Sequence, residues 1–198
     1  RDEQGHPVPY FVAWRDWPNG KPDYRVVDQI KLTRCYYLEI CFICGQPLGA
    51  YLAFVVGPMC TVSRISAEPP SHIGCAEFAA TTCPFMVNPK KTYRDNNLPE
   101  GVEFGDGQLT HNPGVTAIWV TKTFKPVMRQ GRLLARMDDA HKVFWYKEGR
   151  EATRAEVEAS FMYGAEKFYE LAGEEFSTSE FERALERSKV HWPKGVAA

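Results

Sequence analysis

Apolar and polar positions alternate through PYFVAW and again through DYRVVD, with the turn-rich RDWPNGKP between them. Residues 10–28 therefore read as a β-hairpin reversing at Pro18-Asn19-Gly20. KLTRCYYLEI fits a short helix or an irregular lead-in. AYLAFVVG, a turn at GPM and then CTVSRIS read as a second hairpin, closed by EPPS. In SHIGCAEFAATTCPF the pattern changes: an alanine-rich interior, Ser71 as a natural N-cap and Pro84 as a stop predict a helix. A long loop follows, punctuated by Pro89, Asn96, Asn97, Pro99 and several glycines. VTAIWVTKTF (115–124) and KVFWYK (142–147) have strand composition, and VMRQGRLLARM predicts a hairpin pivoting near Gly131. The C-terminus turns helical. Thr153 with Glu156, and Ser177 with Glu180, are capping boxes that satisfy free NH groups at a helix start. Val157, Phe161, Phe168 and Leu171 give the first of these helices an apolar stripe, and Phe181 and Leu185 do so for the second.

These elements predict an α+β fold: an N-terminal hairpin, a central cysteine-bearing segment ending in a helix, a small antiparallel sheet and two C-terminal amphipathic helices. A chain of 198 residues suits one α+β unit over 1–150 with a helical hairpin, 151–198, packed on it. The longest apolar stretch, YLAFVVG, is too short to cross a bilayer, so no membrane partner is expected. A net charge of −1 does not by itself point to a polyanion. The charge is unevenly spread, since residues 88–136 carry a net +4 and residues 151–198 a net −4. Lys122, Lys125 and Arg129, within the basic stretch, are candidates for a nucleic-acid contact, against the plainer reading of a solvated face.

The chemistry gathers around CFICG. Cys41 and Cys44 stand three apart ahead of Gly45, so one tight turn can aim both sulfurs at a single ion. The six cysteines fall within 49 residues of a chain large enough to need no staples, which favours a metal over disulfides. The missing pair is His72 and Cys75, three apart in the first turn of the predicted helix and so on one face of it. Cys41, Cys44, His72 and Cys75 form a C-x2-C-x27-H-x2-C set. A knuckle plus a helix N-terminus resembles a treble-clef zinc finger, and a mixed sulfur and imidazole set suits Zn2+ held structurally. Cys60 is the rival for the place of His72. Cys83 stands about 12 Å along a continuous helix from Cys75 and is expected in the core.

Catalysis has weaker support. Cys60, Arg64 and Glu68 could supply a nucleophile, an anion clamp and a base, with His72 free beside them if Cys60 took its place on the metal, as in a nuclease or nucleotide-directed hydrolase. The plainer reading is that Cys60, Arg64 and Glu68 buttress the metal ligands. The stretch lacks the Asp-His pair of the HNH nucleases built on treble clefs, and SHIGC has glycine where a zinc deaminase needs its glutamate. HNPGV is first of all turn chemistry. Trp119, Trp145 and Tyr146 are core candidates before they are base-stacking ones, with alternation sending Trp145 and Tyr146 to opposite faces.

The run CFICGQPLGAYLAFVVGPMCTVSRISAEPPSHIGCAEFAATTCPFM, with NPGV and FWYKEGREATRAEV, resembles a zinc-binding family encoded by bacteriophages and prophages. The similarity spans most of the chain from PVPYFVAW to the first C-terminal helix, and the cysteine-bearing stretch is its most specific part. The resemblance implies no activity. It implies a bacterial cytoplasm with reduced thiols and an accessory role, and the expected partner is a nucleic acid or a host protein.

Overall fold

Alternation at the N-terminus produces strand β1 (Val12–Trp14) paired antiparallel with β2 (Pro22–Val27). The computed structural model describes every residue except 4, 6, 15–19, 89, 91–111, 113, 173–177 and 195–198, so the Pro18-Asn19 part of the reversal, most of the long loop and Ser177 of the second capping box lie outside the described residues. Asp28 then caps α1 (Gln29–Leu38), its carboxylate accepting from the Ile30 and Lys31 NH groups at 3.0 Å each. KLTRCYYLEI is thus helical up to Leu38, and Glu39 ends the helix in the left-handed region.

The expected second hairpin does not form. Strand β3 (Leu52–Val56) runs into α2 (Pro58–Ser63), and β4 (Ile65–Ser66) joins a different sheet. Gly57-Pro58 reads as a turn but starts a helix, because proline at the first helical position gives up no needed NH and already has a helical φ. Arg64, at φ 59°, closes that helix and redirects the chain.

Strand β3 pairs instead with β5 (Thr116–Thr121), followed by β8 (Lys142–Lys147) and β9 (Arg150–Glu151) in a four-stranded antiparallel sheet. The order β4–β7–β6 makes a three-stranded antiparallel sheet from β6 (Phe124–Arg129) and β7 (Arg132–Met137), the hairpin expected around Gly131. Every residue of β5 is buried, because its sheet is covered on both faces. On one face Ala53, Ile118 and Val120 pack against Ala76 and Ala80 of α3 (Ile73–Thr82). On the other, Phe54, Trp119 and Trp145 meet Val157 and Phe161 of α5 (Arg154–Ala172), Phe181 of α6 (Thr178–Ser188) and Trp192. Full burial of a side chain such as Phe54 or Phe161 contributes roughly 1.5–3 kcal/mol.

Trp145 lies in this larger cluster and Tyr146 packs on the smaller one, so alternation sends them to opposite faces as expected. Pro84 ends α3 and also opens a short α4 (Pro84–Val87). Ser71 does not cap α3. His72 occupies that position, while Ser71 exchanges both backbone hydrogen bonds with Ala53 of β3, at 2.8 and 2.9 Å. The fold is mixed α+β with small antiparallel sheets, but a helix interrupts the segment between the knuckle and α3 where a treble clef would have a hairpin. No helix among the described residues is long and apolar enough to cross a membrane.

Candidate metal centre

The knuckle begins where α1 stops. The bridge between Ile40 and Pro47 and the bond from Cys41 N to Gln46 O at 2.8 Å close a loop that brings Cys41 and Cys44 to one side. Gly45 takes φ +73° in that loop, and its NH donates to Cys41 O at 2.9 Å. Phe42 N donates to Pro70 O at 3.1 Å, which joins the knuckle to the segment leading into α3. The two-residue pairing of Ser71 with Ala53 then fixes where α3 starts, and with it His72 and Cys75.

The ligand atoms of Cys41, Cys44, His72 and Cys75 all lie within 4.8 Å of one another, close enough to hold a metal ion. His72 Nε2 lies 2.9 Å from the Pro47 carbonyl. Since that oxygen can only accept, Nε2 is the donor of this contact, which turns Nδ1 toward the sulfurs in the orientation of a metal-binding imidazole. Nδ1 stands 3.4 Å from Cys44 Sγ and 3.8 Å from Cys75 Sγ. Cys41 Sγ accepts from the NH groups of Cys44 and His72 at 3.4 Å each. Burial alone would raise the Cys41 thiol, but those NH groups, with the Ile43 NH and the Cys44 thiol, together hold it below its ordinary value. Burial, followed by the charge on Cys41, pushes Cys75 up to about 12. Sulfurs crowded this closely can all ionise only around a cation. Cys41 is buried, His72 and Cys75 are half-buried and Cys44 is exposed, so the cluster lies at the surface.

Cys60 does not belong to this cluster. It lies on α2, half-buried against the main core, and burial pushes its thiol up to about 11. An unionised thiol is a poor nucleophile. Cys83 is half-buried at the junction of α3 and α4, clear of the cluster. Cys35, for which the sequence offers no partner, is buried on α1 with its thiol raised by burial and then by Cys41. Glu68 is exposed as a residue, yet the protein packed around its carboxyl pushes it up to about 7 by desolvation. Arg64 stacks over Trp119 at 4.3 Å and pairs with Asp139 at 3.2 Å. The candidate catalytic quartet is therefore divided, with His72 among the sulfurs and Arg64 against Trp119. Asn112 of HNPGV donates to Phe85 O and Met86 O at 2.7 and 3.0 Å and accepts from Gly114 N at 2.8 Å, which makes it a tether for the turn.

Of the basic candidates, Lys125 and Arg129 project from one face of β6, and Lys122 precedes the strand. The register places Arg136 opposite Lys125 and Arg132 opposite Arg129. Composition put these arginines in a basic stretch but could not put them on one face. Only strand pairing does that.

The protein is thus a mixed α+β chain whose C-x2-C and H-x2-C pairs come close enough together to hold a metal ion. Comparison with protein-family models, curated proteins and solved structures gives no match for this chain.

Proposed function

We propose that this chain is a zinc-stabilised, non-catalytic accessory protein of bacteriophage or prophage type that binds nucleic acid through the outer face of its three-stranded sheet. The donor set supports zinc. Zn–S and Zn–N bonds of about 2.3 and about 2.0–2.1 Å separate tetrahedral ligands by about 3.6–3.8 Å, and Nδ1 of His72 lies 3.4 and 3.8 Å from two of the sulfurs. Four protein ligands complete a tetrahedron and leave no place for water or substrate, which supports a structural role.

One observation carries the binding reading. Lys125 faces Arg136 and Arg129 faces Arg132 across β6 and β7, with Val127 and Leu134 between the two pairs. All four cations are exposed, and none makes a salt bridge among the described residues. Like charges directly opposite each other destabilise a sheet, and a row of phosphates would relieve that repulsion.

The test is a titration of labelled oligonucleotides at increasing salt, with elemental analysis of the same preparation. About one zinc per chain is expected, and log K should fall linearly with log salt. Reversing Lys125 and Arg129 to glutamate should weaken binding by roughly tenfold or more and flatten that slope. Folded protein free of metal would end the zinc reading, and no binding at low salt would end the nucleic-acid reading.

A further inference from the structure

Beside the basic face lies a cleft of about 770 Å³. Its walls come from the end of α2, the β5–β6 and β7–β8 links and α6. Arg136 lines this cleft and also stands opposite Lys125 on the sheet, so face and cleft share a cation. Arg64, Lys122 and Arg187 are its other basic groups, and Asp138 and Asp139 are its acidic ones. Both carboxylates are already engaged: Asp138 accepts from Thr123 Oγ1 at 2.5 Å, and Asp139 pairs with Arg64 at 3.2 Å. Lys122, Arg136 and Arg187 make no salt bridge among the described residues.

At the edge of the cleft stands Tyr51, 39% exposed, its ring 5.0 Å from that of His141. Lys122 Nζ lies 5.8 Å from the Tyr51 ring, and both His141 and Lys122 line the cleft. Cations with no salt bridge among the described residues, one of them, Lys122, beside exposed rings, suit a single strand, whose phosphates meet the charges while its bases stack on the rings. A duplex keeps its base faces stacked inside and offers only backbone and groove edges. It would leave Tyr51 and His141 unused.

We infer that the cleft and the Tyr51–His141 pair bind single-stranded nucleic acid, the strand running from the outer face of β6 and β7 past Arg136 into the cleft. The inference rests on the nucleic-acid reading and adds the state of the strand to it.

Fluorescence anisotropy with a labelled oligothymidylate and a blunt duplex of the same length, at one fixed salt concentration, tests it. The single strand should bind at least roughly tenfold tighter than the duplex. Tyr51→Ala should weaken single-strand binding at least roughly five-fold and leave duplex binding unchanged, while Tyr51→Trp keeps a stacking ring and should retain affinity. Circular dichroism and metal content establish that both variants fold. Equal affinity for both probes, or folded Ala and Trp variants with equal losses, overturns the single-strand inference and leaves the basic-face reading standing. Binding to neither probe removes both.

Discussion

At Gly45 the φ of +73° comes with a neighbour: a Cβ there would lie 2.6 Å from Tyr10 Cδ2 and 2.9 Å from Cγ. The contact is with the root of the ring, which cannot swing aside as a flexible chain end would. Gly45→Ala should therefore cost more than the roughly 1–2 kcal/mol of the left-handed backbone alone, and should loosen the turn that aims Cys41 and Cys44. A lower denaturation midpoint together with faster metal loss to a colorimetric chelator is the expected result. An unchanged midpoint would mean that the turn adapts. The need for glycine was legible in CFICG, since a metal-binding turn has few ways to bring two sulfurs round. The role of Tyr10 was not, because it reaches the knuckle only once Tyr10 N bonds to Ile43 O at 2.7 Å.

Helix α5 shows a local rule holding, and α2 shows one failing. Thr153 N donates to Glu156 at 2.9 Å, Glu156 N donates to Thr153 Oγ1 at 3.3 Å, and Arg150 adds a charged bond at 2.6 Å. The Arg150 guanidinium, ahead of the Thr153 NH, holds the Glu156 carboxyl far below its ordinary value of 4.5. With the folded state binding its proton more weakly than the unfolded state, the stabilisation is complete above that ordinary value and fades as pH falls below it. Glu156→Gln should lower stability by about 1 kcal/mol at neutral pH, and urea melts across pH should show the gap to wild type closing on the acid side. A gap independent of pH would assign the effect to something other than the carboxylate. The apolar stripe of α5 was equally legible: Val157 and Phe161 are buried, and Phe168 stacks on Phe181 at 4.6 Å. The side chain of Leu171, the last member of that stripe, lies outside the described residues. In GPMCTVSRIS the signals for a turn and for a helix start are the same residues, Gly57 and Pro58. Only the burial of Thr61 and Val62 selects the helix.

Across the whole molecule, a metal held by Cys41, Cys44, His72 and Cys75 would tie the end of α1 to the start of α3, while the buried sheet around β5 draws its core from α3 on one side and α5 on the other. The core is large enough that metal loss should act first on the tied segments. Cys44→Ser should lower the metal content of the purified protein and its melting temperature. Hydrogen exchange should show lost protection in α1 and the first turn of α3, with β5 and β8 keeping theirs longest. Uniform loss in every element would instead make the metal a condition for folding of the entire chain.

The knuckle pair Cys41 and Cys44, the His72 and Cys75 pair, the capped helix and the hairpin at Gly131 were readable from the chain alone, because each depends on geometry within a few residues: two thiols in one turn, an imidazole and a thiol in one turn of helix, a reciprocal cap. That His72 and not Cys60 joins the knuckle cysteines was not. Tertiary structure alone decided that β3 pairs with β5, that Ser71 serves as a bridge to Ala53, and that four cations share one face. Those outcomes follow from strand register and from which faces are covered, and burial between segments far apart in the chain selects both.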